Sequence, residues 1–293
     1  MAVVIPTRSR PEMVRRCLES LGPARERLRF PVHVCDSSPR EQERQAVLDV
    51  VAGYEWARVT THEGRNVAAA RNACARAAGE DLLINVDDDL QLEPEAIDRL
   101  VARYLEGSGR RIVAGSVSWD GTWTTPVKKR AIGYGRPVRP DELPDFVVGA
   151  FFLYPRAFAL AWPWNERIQV ADDIFIGALW RSHGVQLLFE PEARALHPEL
   201  PTSMDSARLH QTVRHQESHV YSLLFDSTIA NPSLRRTLAY ETLGFLASAK
   251  LYMRHPRLVL PFLRAWIAGH VRLIADSRRL RRLVRKEIPA DGP

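Results

Sequence analysis

Three consecutive carboxylates, Asp87, Asp88 and Asp89, close a short apolar run, Leu82-Leu83-Ile84-Asn85-Val86. The run is rich in β-formers and too short for a helix, so it predicts a buried strand ending in an acidic turn. Three adjacent negative charges repel one another unless water solvates them or a cation sits between them. In an extended chain alternate side chains share a face. The pattern therefore predicts Asp87 and Asp89 on one site, with Asp88 pointing away. Two hard oxygen ligands suit Mg²⁺ or Mn²⁺. A solvated acidic turn would carry the same residues, so the flanking chain has to decide. A second pair, Asp172-Asp173, opens a predicted helix that ends at His183-Gly184. Neighbouring helical residues diverge by about 100°, which leaves one of the two to face a site. Both acids also simply favour a helix N-terminus.

The elements that hold these residues alternate. Ala2 to Ile5, Val32 to Cys35, Ala57 to Thr60 and the Leu82 run read as strands. Between them lie predicted helices from Pro11 to Gly22, from Ser38-Pro39 to about Gly53, and from Val67 to Ala78. Another helix follows Pro94 and ends near Gly107. Strand-helix alternation with short loops predicts an α/β fold with a mainly parallel, Rossmann-like sheet and helices on both faces. Ligands of such sheets bind outside the carboxyl ends of the strands. Thr7, Asp36 and Asp87 each fall just past such an end, so three polar positions converge on one edge. A glycine-rich dinucleotide fingerprint and a P-loop are both absent, which counts against a simple dehydrogenase or NTPase. Further strands are expected at Ile112 to Val117, Val147 to Tyr154 and Gln186 to Phe189. Residues 118 to 145 read as an irregular loop in which Trp119, Trp123 and Tyr134 could stack on a ligand.

The chain has 293 residues, 45% hydrophobic and 26% charged, ordinary for a soluble globular protein, with a formal net charge of +6. Cys17, Cys35 and Cys74 lack metal-ligand spacing and fit reduced packing residues in a cytoplasmic protein. The first strand begins at once, so no signal peptide is expected. No run is expected to reach the roughly 18 apolar residues of a membrane span. The stretch from Leu258 to Val271 is interrupted by Pro261, Arg264 and His270.

Several blocks, in order, resemble the family 2 glycosyltransferases. They are Val3-Val4-Ile5-Pro6-Thr7-Arg8, Val34-Cys35-Asp36-Ser37-Ser38, Ala70-Arg71-Asn72, and Asn85-Val86-Asp87-Asp88-Asp89. Gly149-Ala150, Asn165-Glu166-Arg167 and Ala171-Asp172-Asp173 continue the pattern, which covers roughly residues 2 to 200. The resemblance implies a GT-A fold, a nucleotide-diphosphate sugar donor with UDP as default, a hydroxyl acceptor, a divalent metal (Mn²⁺ or Mg²⁺) and inversion at the anomeric carbon. It implies donor contacts at Thr7, Arg8, Asp36, Arg71, Val86, Asp87, Asp88 and Gly149. Metal ligands would be Asp87 and Asp89, with His197 as a candidate third. The catalytic base would be Asp173, with Asp172 turned away. Asp172 stands where many members have Glu. The Gln-x-x-Arg-Trp signature of processive synthases is absent, which favours addition of a single sugar.

This reading divides the chain into a catalytic region, residues 1–204, and a helical, basic region, residues 205–293. Four helices are expected in the second, broken near Asn231-Pro232, His255-Pro256 and Asp276. Leucines and arginines mix from Arg272 to Lys286 in a basic amphipathic pattern. That pattern suits a peripheral contact at the inner face of a membrane, or a homo-oligomer. Two rival functions are a nucleotidyltransferase acting on a sugar phosphate and a non-catalytic nucleic-acid or membrane-binding protein. The first lacks its glycine-rich phosphate loop. The acidic cluster counts against a nucleic-acid partner.

Overall fold

The structure, a computed structural model, describes residues 1–64, 66–119, 122–124, 126–129, 135–139, 142–146, 148–168, 170–197, 206–253 and 255–288. The first half alternates as expected: β1 (Ala2–Thr7), α1 (Pro11–Leu28), β2 (Val32–Asp36), α2 (Glu41–Val51), β3 (Ala57–Thr61), α3 (Val67–Ala77) and β4 (Leu82–Val86). Then come β5 (Gln91–Leu92), α4 (Ala96–Leu105), β6 (Arg111–Trp119), and three short strands, β7 (Thr122–Trp123), β8 (Val127–Lys129) and β9 (Gly135–Pro137), in the stretch expected to be irregular. β10 (Phe151–Pro155), α5 (Arg156–Ala161), α6 (Asp172–Ser182) and β11 (Gln186–Leu196) follow. The helices α7 (Ser206–Phe225), α8 (Leu234–Ala239), α9 (Phe245–Met253) and α10 (Pro256–Val284) complete the chain, with π-helical turns at Asp226–Ala230 and Tyr240–Gly244.

The main sheet has the order β3-β2-β1-β4-β10-β6-β11-β5, with β7 added at β6. β3, β2, β1 and β4 are mutually parallel. β10 enters antiparallel between β4 and β6, so the second half of the sheet is mixed. The chain steps outward from β1 to β3 and then returns to the other side of β1 for β4. That reversal makes a crevice at the carboxyl ends of β1 and β4, where α/β sheets bind ligands.

Alternation along the strands builds a core on each face. Val3, Ile5, Val32, Val34, Ile84 and Val86 pack with α1, α2 and α4. Ala2, Val4, Cys35, Leu83, Phe152 and Tyr154 pack with α3, α6 and the C-terminal helices. A run buried on both faces is why these strands read as nearly continuous apolar segments.

Several boundaries differ from the sequence reading. α1 continues through Gly22 and Pro23 to Leu28, because Leu21 and Ala24 extend its buried face. Arg29, at φ 52°, ends it. α2 begins at Glu41, where the Glu43 carboxylate accepts the Arg40 N–H at 3.4 Å, and not at Ser38. The strand expected from Val147 begins at Phe151, since Gly149 and Ala150 form a turn. β11 runs on to Leu196 across an irregularity between Glu190 and Arg194. α10 passes straight through Asp276, which is buried as a polar link and breaks nothing. Asp276 accepts hydrogen bonds from Arg167 and from the Tyr221 hydroxyl at 2.9 Å. By length and composition α10 is apolar enough to cross a membrane, despite the interruptions at Pro261, Arg264 and His270.

Candidate active site

The parallel strands deliver Thr7, Asp36 and Asp87 to one edge, with Thr7 directly opposite Asp36 in the β1–β2 register. β10 then brings its leading turn to the same place. Phe151 pairs with Val86, and the Asp87 N–H donates to Ala150 O at 2.9 Å. Asn85 donates to Gly149 O at 3.1 Å and to the Asp87 carboxylate at 3.2 Å, which fixes the turn against the acidic cluster. α3 orients the loop before α6. Its N-cap Asn66 donates to Glu166 O and Ile168 O, and Asn72 donates to Trp164 O. That loop ends at Ala171, held at φ 58°, a left-handed conformation that costs a residue with a Cβ about 1 kcal/mol. The strained residue turns the chain so that Asp172 and Asp173 enter the crevice.

Around these residues is a cleft of ≈ 470 Å³. Thr7, Arg8, Arg71, Asp87, Asp88, Asp89, Gly149, Asp172 and Asp173 all line it. So do Arg10, Ser37 and Asn66, which sequence reasoning did not single out. Asp36 lies just behind, 1% exposed. Its Oδ1 accepts from Ser38 N–H at 2.9 Å and from the Ser38 hydroxyl, while its buried Oδ2 has no partner. Val86 is buried beneath the turn as the last residue of β4.

The expected alternation of the three aspartates fails. β4 ends at Val86, so residues 87–89 are a turn and strand periodicity no longer applies. All three acids line the cleft, each held by a cationic or hydroxyl partner. Asp87 accepts from Arg71 at 3.0 Å. Asp88, 5% exposed, accepts from the Thr7 hydroxyl at 2.6 Å and from Arg10 at 3.1 Å. Asp89 accepts from Arg10 at 2.8 Å and stands 3.4 Å from His197 Nε2. Burial raises the Asp87 carboxyl above its usual range, against the pull of Arg71. Burial pushes Asp88 up to about 7, opposed by Arg10 and Thr7. An acidic cluster held this way gains from further positive charge.

Asp172 does not turn away. Its Oδ2 accepts from Arg71 Nη1 at 2.6 Å, so the buried Arg71 joins the start of α6 to the acidic turn. Burial works against the charge on Arg71, but Asp87 and Asp172 outweigh it and hold the guanidinium more firmly charged than usual. The same group stacks 4.6 Å over Trp164. Arg71 is thus the hub of the site, and its side chain is committed to protein partners. Asp173 makes no ion pair among the described residues. It accepts the Ile174 N–H at 2.8 Å, and burial, then the charge of Asp172, push its carboxyl up to about 7. A Cβ at Gly149 would come within 3.3 Å of Arg71 Nη1 and 3.4 Å of Asp173 Cβ, so a glycine leaves both side chains their positions.

Among the described residues no three His, Cys, Asp or Glu side chains form a metal-holding group. Asp89 and His197 do stand 3.4 Å apart, brought together because β11 pairs with β5 at Leu196 and Gln91. Of the aromatic residues considered for stacking, Trp123 carries the Arg194 guanidinium at 5.2 Å. The Trp119 side chain and Tyr134 lie outside the described residues.

Residues 2–159 match the family model for glycosyl transferase family 2. The chain belongs to this family. It is a glycosyltransferase, and the nucleotidyltransferase reading falls away. Solved structures extend the likeness across the C-terminal helices. Staphylococcus aureus TarS 1–349, in complex with UDP-GlcNAc, is similar at 12% identity and a TM-score of 0.58, over 100% of this chain and 97% of that one. The mannosyltransferase PcManGT of Pyrobaculum calidifontis, in complex with GDP-Man and Mn²⁺, is 15% identical with a TM-score of 0.55, covering 94% of this chain and 87% of that one. Glucosyl-3-phosphoglycerate synthase of Mycobacterium tuberculosis, with phosphoglyceric acid, is 16% identical with a TM-score of 0.54, covering 80% and 81%. At these identities the likeness carries the GT-A fold. No curated protein matches the chain in sequence.

Proposed function

We propose that this glycosyltransferase is inverting and metal-dependent, and that it moves a single sugar from a nucleoside-diphosphate donor, UDP by default, to a hydroxyl acceptor. One observation carries the reading. A carboxyl group without an ion pair among the described residues, Asp173, pushed up to about 7 by burial and by Asp172, shares a cleft with an acidic turn at the switch point of the sheet. A general base works best when its pKa lies near the operating pH. In a single displacement the acceptor oxygen bonds to the anomeric carbon as the bond to the diphosphate breaks. The hydroxyl proton passes to the Asp173 carboxylate. Attack from the face opposite the leaving group inverts the centre.

The other residues bind and orient. The buried, unpartnered Oδ2 of Asp36 can accept an N–H from the nucleotide base. Such a charge-assisted bond contributes about 1.5–3 kcal/mol. Thr7 supports this pocket indirectly, by holding Asp88. Arg8 and Arg10 line the cleft, Arg10 against the acidic turn, where guanidinium groups suit phosphate oxygens. Asp89 and His197 would hold the metal, with Asp87 completing the acidic wall. The Asp89–His197 approach and the raised Asp87 carboxyl fit a site that accepts a cation. When bound, a divalent cation neutralises the departing diphosphate. PcManGT is solved with Mn²⁺, which supports the choice of ion. The three buried, free cysteines suit a reducing, cytoplasmic setting.

Thermal shift with UDP, with and without Mn²⁺, tests the donor site. A ligand at 100 times its dissociation constant adds about 2.7 kcal/mol of stability. The expected result is stabilisation by UDP only with Mn²⁺ or Mg²⁺, lost in Asp89→Ala with His197→Ala. Metal-dependent stabilisation that survives the double substitution would place the cation elsewhere. A larger shift with GDP than with UDP would replace the nucleotide assignment.

A further inference from the structure

α10 presents two opposite stripes. Leu258, Phe262, Trp266, Leu273 and Leu280 are buried. At Gly269 the helix comes so close to α7 that a Cβ would lie 2.7 Å from the Val220 Cβ. On the other side, Leu260, Ile267, Val271 and Ile274 are 55%, 61%, 61% and 72% exposed. Exposed Arg264, Arg278, Arg281 and Arg285 occupy the same three- and four-residue steps before and after them. Such spacing keeps all eight on one line, roughly 40 Å long at 1.5 Å per residue. Upstream, α9 repeats the mixture with exposed Leu246, Lys250 and Met253. Among the described residues, the acids on or paired with α10 are engaged, buried or beyond the helix end. Glu217 pairs with Arg272 and Glu241 with His270, Asp276 is buried, and Glu287 lies beyond the helix end.

We infer that the outer stripe of α10 seats the enzyme on an anionic membrane surface, lying flat in the headgroup plane. Charge decides among occupants. A second copy docked stripe to stripe would set arginine against arginine or leucine, since none of the eight stripe residues is a carboxylate. A bilayer offers hydrocarbon to the central apolar residues and phosphates to the flanking arginines at once. Although α10 is long and apolar enough to span, a spanning pose would strip its inner stripe from α7. It would also break the buried link from Asp276 to Tyr221 and Arg167. The helix therefore lies on the surface. Its basic end also lines a cleft of ≈ 390 Å³ with Arg279, Arg282, Lys286 and Trp164. Trp164 is the residue on which Arg71 of the active site stacks, so the side of α10 next to the outer stripe adjoins the catalytic body.

Flotation of the 293-residue protein with phosphatidylcholine vesicles, with and without phosphatidylglycerol, tests this directly. The protein should float only with the anionic vesicles and be released by high salt. Ile267→Glu with Ile274→Glu, or Arg278→Glu with Arg281→Glu, should lower binding about tenfold or more. These positions are exposed, so the helical circular dichroism and the UDP-induced thermal shift should match wild type. Absence from both vesicle fractions overturns the assignment. So does equal, salt-resistant flotation on neutral vesicles, which would mean apolar insertion. A dimer in sedimentation, dissolved by the same substitutions while vesicles are ignored, would make the stripe a seam between copies. None of these outcomes bears on the donor site, which the nucleotide experiment tests separately.

Discussion

Asp173→Asn should cost the enzyme its chemistry and improve its stability, by amounts that share one cause. Burial, then the neighbouring Asp172 charge, disfavours the Asp173 carboxylate and pushes the carboxyl up to about 7. An unfolded aspartate releases its proton near pH 4. Between those values the native state binds more protons than the unfolded state. The residue's contribution to stability is therefore full below about pH 4 and is lost as pH rises through about 7. At roughly 1.4 kcal/mol per pH unit the gap is worth at most about 4 kcal/mol. Asparagine has no charge to desolvate, and its Oδ1 can still accept the Ile174 N–H. Urea denaturation at pH 8 should find the variant more stable than wild type by roughly 2–4 kcal/mol, with the difference closing toward pH 4. Transfer should fall about 10²- to 10⁴-fold, as for loss of a general base, while UDP binding barely changes. Wild-type kcat/KM should drop about tenfold per pH unit below pH 7, and this limb should vanish in the residual activity of the variant. A stability difference that ignores pH would refute the origin given for the raised pKa. Transfer within a few-fold of wild type would place the base at another residue.

Two further substitutions probe the hub. Arg71→Met removes the partner of both Asp87 and Asp172 and should destabilise the fold by about 3–5 kcal/mol at pH 8. The loss should shrink as pH falls and Asp87, whose carboxyl burial already raises, protonates, and a pH-independent loss of under 1 kcal/mol in urea denaturation would contradict the hub. Gly149→Ala inserts a methyl group against Arg71 and Asp173 and should slow transfer about tenfold, since small displacements of reacting groups are costly. Its melting temperature should stay within a few degrees of wild type, and unchanged kcat and KM would mean the turn has slack.

The sequence determined the family, the strand-helix order and the edge on which chemistry gathers. Apolar runs followed by polar residues mark strand ends, and parallel connection places those ends on one side, so Thr7, Asp36 and Asp87 could be grouped without coordinates. Periodicity speaks only for residues inside one element, and each misreading falls where an element stops or another packs on it. The alternation assumed for Asp87 to Asp89 ended with the strand at Val86. Asp172 was expected to point away because helix geometry separates it from Asp173. Its partner is Arg71, 101 residues earlier, and only packing could choose that arginine from the many in the chain. Asp276 looked like a helix break because a lone acid among leucines and arginines gives no local sign of a buried tyrosine and arginine waiting for it. The antiparallel entry of β10, which carries Gly149 to the acidic turn, is likewise decided by strand pairing over a long sequence distance. Sequence thus specified which groups could act, and tertiary contact decided which are held by charged partners and which, like Asp173, make no ion pair among the described residues and have a raised carboxyl pKa.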